Sequence, residues 1–184
     1  NMRVVFIHGN GAMNWRFART PRLKQALQNL NIECIFETFP DSILARSEYR
    51  LDYLQNYIKA DEDTLLVWRS SGAVAAMRYA EHHKVFWSIL VAPSYTDLWL
   101  ESEKVSWYFN EPREWDSIRK NQKIIHLFYS KNDEFIPVEE FEYIKDKIQP
   151  EYNFVSSEWH FMNLQEFPQL LSSIQSITTL VQNK

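Results

Sequence analysis

Glycine is scarce in this chain, at three residues in 184, Gly9, Gly11 and Gly72, where ordinary usage near 7% would give roughly a dozen. A chain this sparing is expected to keep glycine where no Cβ can be accommodated. The three fall in two short stretches, His8-Gly9-Asn10-Gly11-Ala12 and Trp68-Arg69-Ser70-Ser71-Gly72-Ala73, each directly after an apolar run. Cysteine is scarcer still. The single Cys34 excludes an internal disulfide framework and fits a reducing compartment, and its place in the run Ile32 to Phe36 reads as a buried structural thiol rather than a nucleophile. No apolar run approaches the ~18 residues that span a bilayer. The chain enters the strand-like Arg3-Val4-Val5-Phe6-Ile7 without a basic leader or cleavage site, so a cytoplasmic protein is expected. Broad positive charge is also lacking: the net charge is -4 and the pI near 5.8, with no Lys/Arg run, so neither nucleic acid nor a membrane surface is expected as a partner.

What is present is a core. Hydrophobic residues make up 45% of the chain, with seven Trp, nine Tyr and twelve Phe, enough to exclude a disordered polymer. The length fits one domain over residues 1–184, with no linker, internal repeat or low-complexity tract. Apolar strand candidates are Val4 to His8, Ile32 to Phe36, Thr64 to Trp68, Val85 to Ala92, Lys123 to Tyr129 and Tyr152 to Val155. Helical faces alternate with them. Leu23, Ala26, Leu27 and Leu30 follow the start signal Thr20-Pro21; Leu51, Leu54, Tyr57 and Ile58 form a second face. A third helix begins just after Ser70 and runs through Ala73, Val74, Ala76, Met77 and Ala80. Val138, Phe141, Ile144 and Ile148 mark a fourth, and Pro168 starts the last, with Leu170, Leu171, Ile174, Ile177 and Val181 on its face. This alternation predicts a three-layer α/β domain, a mostly parallel sheet of about six strands with helices on both faces.

One stretch breaks the rhythm. From 93 to 120 the pattern dissolves into an aromatic insertion carrying Tyr95, Trp99, Trp107, Tyr108, Phe109 and Trp115. It reads as a lid or pocket wall, or equally as rings that only pack the insertion onto the body.

The chemistry gathers around Ser70. A serine between a strand and a helix, with glycine two residues on, is the setting of a nucleophile elbow; a serine there also suits the N-cap of the helix, with no catalysis implied. Serine hydrolases of this architecture place an acid and then a histidine downstream, each after a later strand. Asp133 follows the strand ending at Tyr129, and His160 follows the last strand. A serine needs a general base near pH 7, and the imidazole needs a carboxylate to fix its tautomer. The backbone amides of Ser71 and Asn10 are the candidates for an oxyanion hole. Gly9 and Gly11 also open a dinucleotide fingerprint, but its third glycine position is Asn14 and no lysine completes a P-loop. No cofactor and no metal are expected.

On these residues the chain resembles the small serine hydrolases of the retinoblastoma-binding-protein-nine type, in the α/β-hydrolase superfamily. The resemblance covers nearly the whole length, through Gly9-Asn10-Gly11, Phe39-Pro40-Asp41, Ser70-Ser71-Gly72-Ala73-Val74-Ala75-Ala76-Met77-Arg78-Tyr79-Ala80-Glu81, Tyr108-Phe109 with Pro112 and Trp115, Asp133 with Phe135-Ile136-Pro137, and His160-Phe161 before Asn163. It implies Ser70 as nucleophile, His160 as base and Asp133 as its orienting acid, acting on a small-molecule ester or amide.

Three positions depart from the family pattern. Trp68 and Arg69 stand where glycine and usually histidine precede the nucleophile, and Trp159 stands where a glycine usually precedes the catalytic histidine. With Trp107 these are the pocket candidates. They also motivate an alternative, a catalytically silent α/β-hydrolase-fold binding protein. A ligand for the retinoblastoma pocket needs Leu-x-Cys-x-Glu, and Cys34, between Ile32 and Phe36, does not supply it; such a partner is not expected. Of the other histidines, His82-His83 suit a helix end, His126 a satisfied core position, and His8 either the oxyanion loop or a local hydrogen bond.

Overall fold

The structure, a computed structural model, describes residues 2–10, 20–157 and 168–182; Gly11, Trp159 and His160 lie outside them. Its strands are β1 (Arg3–Phe6), β2 (Glu33–Ile35), β3 (Thr64–Arg69), β4 (Trp87–Val91), β5 (Ile124–Ser130) and β6 (Tyr152–Ser156). They form one sheet in the order β2-β1-β3-β4-β5-β6, and every neighbouring pair is parallel. The runs read as strands are therefore strands. Their apolar continuity reflects burial from both sides: Val4, Val5, Leu65, Leu66, Val67, Ile89, Leu90, Leu127 and Phe128 are fully buried.

The helices are α1 (Thr20–Asn29), α2 (Ser47–Asp52), which continues into a π-helical turn (Tyr53–Ile58), α3 (Ser71–His82), α4 (Glu101–Lys104), α5 (Trp115–Lys120), α6 (Val138–Ile148) and α7 (Pro168–Gln182). Successive side chains of a strand point to opposite faces, and β5 shows the two helical layers directly. Its Tyr129 stacks on Phe141 of α6, ring centroids 5.1 Å apart, while the ring of His126, three residues earlier, meets Ser173 of α7 at 2.9 Å. The layer on the α6 side continues through α5 and α3 to α2. No described helix is long and apolar enough to cross a membrane.

Two expectations are corrected. Of the face expected from Leu51, Leu54, Tyr57 and Ile58, Leu54 and Ile58 are buried and Leu51 packs half-buried against the core, but Tyr57 is exposed and stacks on Tyr53, and the buried stripe gains Arg50. The segment 93–120, expected to lack periodic structure, contains α4 and α5.

That insertion is bound to the body through two charged residues of α3. Arg78 donates to the carbonyls of Tyr108 (2.8 Å), Pro112 (3.2 Å) and Glu111 and pairs with Glu81 at 3.0 Å. Glu81 in turn accepts the Glu114 N–H at 2.8 Å. Further along, Arg113 donates to the Ser94 carbonyl and lies over the rings of Phe109 and Trp115. Burial pulls the Arg113 guanidinium down to about 9, with Arg78 adding to the shift.

Candidate active site

The strand order turns at β1. The chain steps from β1 outward to β2, then returns to place β3 on the other side of β1. Ligands of such sheets bind beyond the carboxyl ends of the strands at this switch point, and two loops meet there: Ile7 to Asn10 after β1, and Ser70 after β3.

Ser70 makes the sharper turn. Its backbone lies at φ 56°, ψ -122°, outside the regions open to most L residues and costing about 1–3 kcal/mol. Two bonds hold it there, from its N–H to the Val91 carbonyl (2.8 Å) and from the Val74 N–H to its own carbonyl (3.1 Å). Its hydroxyl makes no capping bond to α3, so the N-cap reading does not describe this serine. The turn is possible because α3 starts against β1: a Cβ on Gly72 would lie 1.8 Å from the Ile7 carbonyl oxygen, a distance no side chain tolerates. Gly9 differs. A Cβ there would meet the Arg69 oxygen and the Ser70 Cβ at an ordinary 3.8 Å, so the expectation that glycine is kept where nothing else fits is met at Gly72 and not at Gly9. The same distances put the β1 loop directly beside Ser70.

Behind that loop is a buried polar cluster. The Nδ1 of His8 lies 2.7 Å from the Gly9 carbonyl oxygen, and its Nε2 accepts the Phe39 N–H at 2.9 Å. Together these contacts assign the neutral tautomer with the proton on Nδ1. Burial first, and the neighbouring Arg50 charge second, hold His8 down to about 4. His8 thus hydrogen-bonds locally. Arg50, from α2, is fully buried. Its Nη2 donates to the Gly9 carbonyl at 3.0 Å and its Nη1 to the Ser71 hydroxyl at 3.4 Å. On the outer side, the Asn10 carboxamide donates to Glu103 of α4 at 3.0 Å, which brings the insertion against the loop.

The Phe39-Pro40-Asp41 motif supports the same cluster. Phe39 supplies the N–H to His8 and packs its ring edge-on to the imidazole at 5.8 Å. Asp41 receives a two-pronged contact from Arg46, at 2.8 and 3.1 Å, and also accepts the Arg46 N–H, closing the loop that leads into α2. Arg46 holds the Asp41 carboxyl below its ordinary range.

Asp133 lies beyond the end of β5, two strands from β3 or about 10 Å at ordinary strand spacing. Its Oδ1 accepts the N–H groups of Phe135 (2.8 Å) and Ile136 (2.9 Å), which orient the carboxylate. Among the pocket candidates, Trp68 is half-buried, its ring edge-on to Phe6 at 6.0 Å, with φ 131°. The glycine missing at this position is therefore missing where the backbone favours one. Arg69 is half-buried, and Trp107 stands 66% exposed just after α4. His126 is a core imidazole on Ser173, held by burial down to about 4. His83 stacks on Tyr79 and contacts its carbonyl at the end of α3. Reading the sequence missed Arg50 and Glu103. For Arg50 a signal existed, since it stands four and eight residues before the buried Leu54 and Ile58, on one helical stripe.

The sheet order, the strained Ser70 turn and the helix seated on β1 define the α/β-hydrolase fold, and solved structures agree. The ydeN gene product of Bacillus subtilis superposes with a TM-score of 0.86 at 21% identity, covering 97% of this chain and 100% of that one. A carboxylesterase of the thaumarchaeon Nitrososphaera gargenis does so with a TM-score of 0.74 at 12% identity, covering 99% and 91%. No family model matches the chain. The rat serine hydrolase RBBP9 is 36% identical over 147 residues, 80% of this chain and 78% of that protein. The chain belongs to the RBBP9 family of serine hydrolases and is a hydrolase.

Proposed function

We propose that the protein cleaves carboxylic esters or amides of small molecules through an acyl-Ser70 intermediate. The Ser70 oxygen attacks the substrate carbonyl while its proton passes to the His160 imidazole. The carbonyl oxygen takes up negative charge facing the Asn10 and Ser71 amides. As the intermediate collapses, the bond to the leaving group breaks and His160 returns the proton to that group. Water, deprotonated by the same imidazole, then releases the acid and restores Ser70. Asp133 holds the imidazole in the tautomer this cycle needs.

The observation that carries this reading is the backbone of Ser70, held at φ 56° between β3 and α3 with the β1 loop beside it. A strained serine whose hydroxyl does no capping has no structural reason to be there, and an elbow is a functional one. The backbone-held Asp133 carboxylate supports the role of acid. The insertion 93–120, reaching Asn10 through Glu103 and presenting Trp99 (89% exposed) and Trp107, is proposed as the wall of an apolar acyl pocket.

A fluorophosphonate probe is expected to label the folded chain and to fail on Ser70→Ala. No labelling of the parent overturns the reading and favours a silent binding fold, and labelling that survives the substitution overturns the assignment of Ser70 as nucleophile.

A further inference from the structure

Arg50 occupies a place the proposed reaction does not itself explain. A guanidinium is among the costliest groups to bury, and that of Arg50 is fully buried. Among the described residues no carboxylate lies within ion-pair distance of it. Burial lowers its affinity for the proton, while Tyr108, Asp41 and Glu103 oppose that shift; an arginine in such surroundings still keeps its charge. A helix on this sheet would be more stable with an apolar residue of similar size at position 50, so the contacts the arginine makes are informative.

They reach both arms of the proposed oxyanion site. One arm of the fork donates to the Gly9 carbonyl at 3.0 Å, where the His8 Nδ1 also converges at 2.7 Å. A trans peptide is planar, with its C=O and N–H pointing in opposite directions, so fixing the Gly9 carbonyl inward turns the Asn10 N–H outward. The other arm reaches the hydroxyl of Ser71, the residue whose own N–H is the second proposed donor. From outside, Glu103 holds the Asn10 side chain and limits rotation of the same loop.

We propose that Arg50 is a positioning residue for the oxyanion site: from the core it locks the Gly9–Asn10 peptide and Ser71 into the orientation in which their amides face the reacting oxygen. Such a lock matters because oxyanion donors act only when aimed beforehand at where charge develops. The inference rests on the serine hydrolase reading above and adds to it a residue that touches no substrate.

The test uses the full chain with p-nitrophenyl butyrate as substrate and phenylboronic acid as a tetrahedral mimic that places an oxygen in the same hole. In Arg50→Met, kcat is expected to fall about 10- to 100-fold with KM changed less than about threefold. The boronate inhibition constant should rise by the same factor as kcat/KM falls. Arg50→Lys, which keeps the charge but not the fork, is expected in between. A purely structural role would alter the amount of folded protein and leave these constants alone. If Arg50→Met does not fold, Arg50→Lys decides: boronate affinity lost at unchanged KM supports the proposal, and parent-like constants overturn it. A parent that hydrolyses no ester overturns both readings. An active parent matched by a folded Arg50→Met overturns this one alone.

Discussion

Trp68 and Ser70 sit one residue apart, and both have backbones that L side chains rarely adopt, at φ 131° and 56°. The two strains are resolved differently. Ser70 is held by hydrogen bonds to β4 and α3, whereas Trp68 lies within β3, in register with Leu90 of β4, and packs its half-buried indole edge-on to Phe6. Removing the indole costs about half of the 3–5 kcal/mol typical of a fully buried ring. Alanine loses that packing and keeps the strain; glycine loses the packing but releases about 1–3 kcal/mol of strain, less its extra chain entropy of about 0.5–1 kcal/mol. Trp68→Ala is therefore expected to be about 2 kcal/mol less stable than the parent and Trp68→Gly roughly 1 kcal/mol better than the alanine variant, read from urea midpoints. An alanine variant at least as stable as the glycine one counts against the strain. At this scale the sequence was informative where a residue type is unusual for its neighbours. A tryptophan before Ser-Ser-Gly marked position 68, but nothing local showed that Arg50 turns inward. An arginine among Arg46, Ser47, Glu48 and Asp52 reads as solvated, and only the stripe shared with Leu54 and Ile58 says otherwise.

Strands and long helices were legible because their apolar periods extend over several residues, as in Val4 to Phe6 or Val138 to Ile148. The insertion was not, since α4 and α5 run for four and six residues, too few for a 3.6-residue period to repeat. That segment is ordered not by its own pattern but by contacts with the body, among them the Arg78–Glu81 pair on α3, whose partners are carbonyls and an N–H between residues 108 and 114. The two side chains are 11% and 4% exposed, and removing one partner of a buried pair costs about 3–5 kcal/mol. Arg78→Met is expected to lose roughly that much stability, with amide exchange in residues 94–114 accelerating more than in β3 to β5. Uniform acceleration across the sheet would show that the pair stabilises the whole body and not the insertion. The placement of the candidates Ser70 and Asp133 at strand ends followed from the order of elements alone, while the Glu103 contact with Asn10 depends on how the insertion folds back and is invisible in sequence.

For the whole molecule, two buried imidazoles set a direction for acid sensitivity. Both His8 and His126 are held near 4 in the folded state, against about 6.5 in an unfolded chain. Between those values the unfolded state binds more protons, so stability is fully present above about pH 6.5 and declines as pH falls toward 4. Urea midpoints at pH 7.5 and 5 are expected to differ in this sense, and His126→Gln, which can still bond Ser173, should narrow the gap; an unchanged gap would clear His126 of any part in it. The sheet order bears on how the molecule is made. β1 is flanked by β2 and β3, and Phe6 pairs with Val67, a contact across some sixty residues. A growing chain at the ribosome holds a finished β1 with its second flank bare until β3 has emerged. Contacts so far apart in sequence close slowly, and an unpaired, fully apolar strand is an invitation to aggregate. The first strand is thus the segment a chaperone would have most reason to cover during synthesis, and the loop from Ile7 to Asn10 that follows it takes shape only when that wait is over.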